Sequence, residues 1–202
     1  MKRLALVLLA GLLASACAAA AGSPYPLDGD PEARRWGDGP YGLLLLPDAD
    51  AEGRSGAWDA QARTLADEGM TVVALGAADA AVAAQAIEAL RAGGIERVAV
   101  LAAGEGAAAA FELGVDSPEL VDQLILLSGT GDASGLGVFP KLFVASEGEA
   151  AADDAERMVD EAPGDWNAIY LAEGDGSGRE ILTGDGAEEA MEAIIQRLDE
   201  RR

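Results

Sequence analysis

The stretch "AVLAAGEGAAAAF" runs from Ala99 to Phe111. It begins as an apolar, strand-like run, breaks at small residues, and continues as a helix-like run of short side chains. A strand that turns at small residues directly into a helix is the joint from which α/β sheets are built. In many hydrolytic enzymes that joint reads Gly-x-Ser-x-Gly and exposes a serine nucleophile. Here the middle position is Gly104, which has no side chain to offer.

The same alternation extends outward in both directions. Strand-length apolar runs occupy 42–46, 71–75, 97–102, 123–127, 141–145 and 167–172. Helix-like stretches lie between them. One starts at Ser55, an expected N-cap, and ends at Gly69; the next ends at Gly93 and Gly94. Another stops before Pro163, and the last is acidic at its start and basic at its end, as a helix dipole prefers. Continuous apolar strands are buried on both faces, which implies parallel pairing with helices on each side. The expected fold is α/β: a doubly wound, mostly parallel sheet of about six strands flanked by helices. The segment 128–140 reads as a loop.

Half of the residues are hydrophobic but only 4% are aromatic, so the core must be packed mainly by Ala, Val, Leu and Ile. There are 36 acidic against 14 basic residues, for a net charge of −22. Phosphates would be repelled, which argues against nucleic acid, and anionic lipid surfaces are disfavoured for the same reason. An acid-rich surface with only two lysines, Lys2 and Lys141, suits high salt, where screening removes self-repulsion.

The N-terminus carries a different signal. Lys2 and Arg3 precede an apolar run, Leu4 to Leu13, too short to span a bilayer, and then "LASAC" ends at Cys17, the only cysteine. This stretch resembles a bacterial lipoprotein signal peptide with its lipobox. The resemblance implies that residues 1–16 are removed, that Cys17 is lipidated, and that the protein is exported and anchored to a membrane of the cell envelope. Two or more acyl chains make such anchoring stable. Residues 17–41, rich in Gly, Pro, Asp and Ser, read as the lipidated cysteine and a flexible tether, and residues 42–202 as the domain.

Within that domain several stretches match one superfamily in order. "GLLLLPDA", "WDAQARTLADEGMTVVAL", "VAVLAAGEG", "LVDQLILLSG", "FPKLFVASEGE" and "LAEGDGSGREIL" resemble successive segments of an α/β-hydrolase. That resemblance implies a nucleophile, a histidine base and an orienting acid. The matching positions hold Gly104, Ser177 in place of the histidine, and Glu149, with Glu147 nearby, at the acid turn. The chain contains no histidine. At the oxyanion loop, Pro47 offers no N–H, and Asp48 and Glu105 would oppose a developing negative charge if they pointed inward. As a first-turn helix acid, Glu105 is expected to face solvent.

Two serines stand at strand ends, Ser128 in "LLSGT" and Ser146 in "FVASEG". Without a neighbouring histidine or lysine a serine is a poor nucleophile, so turn or cap roles are expected. The stretch 48–59 fits a calcium-loop pattern, with Asp48, Asp50, Glu52 and Asp59 as oxygen donors and Gly53 at the turn. A strand rather than a helix precedes it and Asp replaces the final Glu, so a solvated loop is expected. No cofactor loop fits.

The resulting expectation is a lipid-anchored, catalytically degenerate hydrolase-like domain. It would not be an enzyme, and would bind or scaffold a protein or small apolar molecule at the envelope. The alternative is an esterase-type hydrolase in which Ser128 or Ser146 is assisted by Glu147 or Glu149.

Overall fold

A computed structural model describes residues 22–48 and 54–200. Eight strands form one sheet: β1 Ser23–Pro24, β2 Arg34–Trp36, β3 Tyr41–Leu46, β4 Met70–Ala74, β5 Arg97–Ala103, β6 Gln123–Leu127, β7 Lys141–Ser146 and β8 Asn167–Ala172. Their order is β1-β2-β4-β3-β5-β6-β7-β8. The pairings from β4 through β8 are parallel, while β2 runs antiparallel to both β1 and β4. The six apolar runs of the sequence are the six parallel strands.

The helices are α1 Asp59–Asp67, α2 Ala80–Ala92, α3 Glu105–Asp116, α4 Ala151–Glu161 and α5 Ala187–Asp199. Successive side chains on a strand point to opposite faces, so the sheet supports two cores. Leu44 and Leu46 of β3 pack with α2, α3 and α4 residues such as Ile87, Phe111 and Met158. Leu43 and Leu45 pack on the other face with α1 and α5 residues such as Leu65, Ile194 and Leu198. This is the doubly wound arrangement that the alternation of strands and helices implied.

Two local readings differ from the structure. Residues 22–41 are not a bare tether. Trp36 is buried, Arg35 pairs with Val73 across the sheet edge, and the buried Asp30 accepts N–H bonds from Gly76 at 2.7 Å and Ala77 at 3.2 Å. A polar, Gly- and Pro-rich segment with no apolar period was thus fixed by one carboxylate and one indole, neither of which has a periodic signature. The rest of the tether and the signal segment, with Cys17, lie outside the described residues. The helix expected from Ser55 is also divided. A 3-10 turn, Arg54–Trp58, precedes α1, and its first regular turn has no side-chain cap because the flanking residue is the fully buried Trp58. Among the described residues no helix is long and apolar enough to cross a membrane.

Candidate functional site

The carboxyl ends of β5, β6 and β7 bring the expected positions together. Ala103 pairs with Leu127, and Leu127 with Val144, so Gly104 and Ser128 leave adjacent strands side by side, about 5 Å apart in strand spacing. Gly104 has φ 54° and ψ −122° and begins α3. That conformation is the sharp strand-to-helix turn expected there, and glycine adopts it freely. A Cβ at this position would fall inside contact distance of Asp48 Cγ, Oδ1 and Oδ2. Asp48 therefore points inward and fills the place of the missing side chain. Glu105 is exposed, as expected for a first-turn acid. Gly104 itself brings no attacking atom, Pro47 is buried, and the Asp48 carboxylate lies over the turn.

One strand over, the geometry is different. Ser128 has φ 52° and is the non-glycine residue with positive φ among those described. Such a backbone costs about 1–3 kcal/mol and persists only where its surroundings impose it. Here Ser128 N–H is tied to Val144 O at 2.7 Å. Its hydroxyl donates to Glu149 Oε2 at 2.6 Å and accepts from Gly178 N–H at 2.7 Å. Ser177 Oγ donates to the other carboxylate oxygen, Glu149 Oε1, at 2.7 Å. A weak contact from Ser146 N–H at 3.5 Å completes the surroundings of Oε2.

Thus Ser128, Glu149 and Ser177 form one chain of hydrogen bonds at the strand ends, with the acid in the middle. Ser128 and Glu149 are half-buried, and Ser177 is exposed. Ser177 takes one carboxylate oxygen and so leaves the other aimed at the Ser128 hydroxyl.

The remaining candidates separate. Ser146 is buried and its hydroxyl donates to Gly176 O at 2.6 Å, which is a turn role. Glu147 is exposed and takes no part. Lys141 starts β7 at the opposite end of the sheet. It is fully buried, and its ammonium donates to Phe139 O and Pro163 O, each at 2.7 Å. Burial lowers its pKa to about 8. Of the calcium-loop candidates, Asp50 and Glu52 lie outside the described residues, as does Gly53. Asp48 faces Gly104, and Asp59 belongs to the first turn of α1. Among the described residues no group of three or more acidic, Cys or His side chains could hold a metal ion.

Sequence reading left out the Gly178 N–H and the Ser128 backbone. The first belongs to a backbone group of a 3-10 turn, Gly178–Leu182, and carries no side-chain signal. The second had one partial signal, a serine ending an apolar strand before Gly129.

No family model matches the chain, and no curated protein matches it. Solved structures do match in shape. A monoacylglycerol lipase from Paleococcus ferrophilus aligns with TM-score 0.66 at 12% identity, over 84% of this chain and 98% of that one. The N-formylmaleamic acid deformylase of Pseudomonas putida S16 aligns with TM-score 0.64 at 16% identity, over 86% and 99%. An esterase from Exiguobacterium antarcticum aligns with TM-score 0.64 at 12% identity, over 83% and 94%. The chain has the α/β-hydrolase fold, shared here with enzymes.

These neighbours correct the expectation that the chain is not an enzyme: lipase, deformylase and esterase are all hydrolases on this fold. That expectation rested on Gly104 and on the missing histidine. The pairing of Ser128 with Glu147 or Glu149 stood only as the alternative, and the structure brings the Ser128 hydroxyl and the Glu149 carboxylate together beside the turn. Likeness at this level of identity concerns the fold; the activity has to be argued from the site.

Proposed function

We propose that the chain is a carboxylic-ester hydrolase in which Ser128 is the nucleophile and Glu149 its general base. The observation that carries this reading is the Ser128 hydroxyl, held on a strained backbone and donating to Glu149 Oε2 at 2.6 Å. Strain at a strand end next to a satisfied acid–hydroxyl pair marks functional positions. Structural neighbours named as an esterase and a lipase support an ester as the substrate.

In this reading Ser128 Oγ attacks the ester carbonyl carbon while its proton passes to Glu149. The tetrahedral intermediate collapses, the C–O bond to the leaving alcohol breaks, and the alcohol takes the proton from Glu149. Water then attacks the acyl-serine, again losing a proton to Glu149, which returns it to Ser128 Oγ as the carboxylic acid departs. The Gly178 N–H stabilises the serine oxygen as it loses its proton. A carboxylate is a weaker base than imidazole, so turnover is expected to be slow and to favour activated esters. The test is hydrolysis of p-nitrophenyl acetate and butyrate by the purified domain. Ser128→Ala and Glu149→Gln should each abolish turnover, while Glu147→Gln should retain it. Turnover that survives in Ser128→Ala would overturn the assignment.

For the N-terminal segment we propose export and acylation at Cys17, which would place the hydrolase at the cell envelope. The order of positive charge, short apolar run, small residues and cysteine supports this. Cells fed labelled palmitate should yield a labelled protein. Label that remains in Cys17→Ser would contradict it.

A further inference from the structure

Helices α1 and α5 cover the same face of the sheet. Their inner residues, Leu65 on one and Ala190, Ile194 and Leu198 on the other, enter one core. Outside that core the two helices do not close on each other. On the α1 side the gap meets short side chains, Ala60 and Thr64, which leaves a groove of about 640 Å³. That volume lies within the range of small-molecule sites. Its floor is apolar. Leu182, the last residue of the 3-10 turn, and Met191 and Ile195 of α5 line it, and the latter two are only half-buried.

Two features give this apolar groove a chemical preference. The first is charge. Glu188 and Glu192 stand one helical turn apart on its α5 rim, and both are exposed. Like charges at that spacing destabilise a helix, and a cation lodged beside them would offset the repulsion. Among the described residues that line the groove there is no Lys or Arg.

The second feature is Gln61, in the opposite wall, whose side chain belongs to a residue only 4% exposed. Its Nε2 donates to Leu182 O at 3.2 Å. That bond fixes the orientation of the amide, because exchanging its two ends would set oxygen against oxygen. Oε1 is left buried, with no hydrogen-bond partner among the described residues. A buried acceptor without a donor is unfavourable, and an N–H from a bound molecule would satisfy it. Leu182 precedes α5, so the Gln61 amide sits at the Glu188 end of the groove, and Met191 and Ile195 follow along its length.

We propose that the groove between α1 and α5 binds an amphipathic primary ammonium ion. Its N–H donates to Gln61 Oε1, its charge faces Glu188 and Glu192, and its alkyl chain lies on Leu182, Met191 and Ile195. Each part of the groove selects one property. A neutral alcohol lacks the charge, and a quaternary ammonium ion lacks the donor. The assignment does not depend on Ser128 being the nucleophile.

The experiment is calorimetric titration of the purified protein with n-octylammonium, octyltrimethylammonium and 1-octanol. The wild type should bind one n-octylammonium, at least about tenfold more tightly than either of the others, and the affinity should weaken as salt rises. Glu188→Gln combined with Glu192→Gln changes exposed positions only, and should reduce that affinity about fivefold or more while leaving 1-octanol unaffected. Gln61→Met keeps the length of the side chain without the acceptor, and should erase the preference for the primary over the quaternary ion. If Gln61→Met fails to fold, the comparison of the two cations on the wild type tests the same hydrogen bond. Absence of n-octylammonium binding, equal affinity for the two cations, or an affinity unchanged in the doubly substituted glutamate variant would overturn the proposal.

Discussion

The carboxylate of Asp48 stands where a side chain on Gly104 would have to be. The two positions come from different strand ends, and neither can change alone without the other being felt. Gly104→Ala would meet two penalties: a positive φ that an L-residue tolerates poorly and direct overlap with Asp48. We expect a loss of about 2–4 kcal/mol in urea denaturation, from strain and overpacking together. In an Asp48→Ala background the overlap disappears while the strain remains. The double-mutant cycle should therefore show a coupling of at least about 1 kcal/mol. Additive losses would mean that the loop simply moves aside.

Ser128 makes the opposite trade. Its backbone is strained and its hydroxyl is engaged. Replacement by alanine or by glycine removes the same hydrogen bonds, but only glycine relaxes the positive φ. Ser128→Gly is expected to be more stable than Ser128→Ala by about 1 kcal/mol, read from denaturation midpoints at equal m-values. Both should be inactive toward esters. Equal stabilities would show that the strain is too small to mark the position.

Ser177 acts through Glu149 rather than on substrate, so its loss should be visible in one kinetic parameter. With Ser177→Ala the Oε1 oxygen loses a 2.7 Å bond and the carboxylate can rotate away from Ser128. We expect kcat for p-nitrophenyl acetate to fall about tenfold with KM little changed, the pattern of a misplaced base. Ser177→Thr keeps a hydroxyl and should recover most of the rate. A matched fall for Ala and Thr would assign Ser177 a purely structural role in its turn.

The fold was legible because its signals are periodic. Six apolar runs of strand length, separated by helix-length stretches, became six adjacent parallel strands. The edge formed by Ser23–Pro24 and Arg34–Trp36 was not legible, since it depends on Asp30 reaching Gly76, a contact between groups 46 residues apart. The site was half legible. Glu149 stood near the acid position, and the pairing of Ser128 with Glu147 or Glu149 was among the alternatives. Which acid it is follows from the turn after β7, which directs Glu149 inward and leaves Glu147 outside. The missing histidine makes that pairing the second reading of the sequence rather than the first. A sequence lists residue types, whereas a hydroxyl and a carboxylate become a pair only through the register of β6 against β7.

Lys141 sets the pH dependence of stability at the other end of the sheet. Its ammonium is fully buried among the carbonyls of Phe139 and Pro163, with the Phe139 ring centroid 4.8 Å away. No carboxylate forms an ion pair with it among the described residues. Burial lowers its pKa from 10.5 to about 8. Between those values the unfolded chain binds more protons than the folded one, so this group makes stability rise with pH across that window. Below about pH 8 both states carry the proton and the penalty of a buried charge is present in full. The gain between pH 8 and pH 10 is about 2 kcal/mol, from 1.36 kcal/mol per unit of pKa difference. Lys141→Met should lack this rise, so the stability of wild type relative to Lys141→Met is expected to increase across that interval in parallel urea titrations. A flat difference would show that the ammonium reaches water or an anion in the folded state.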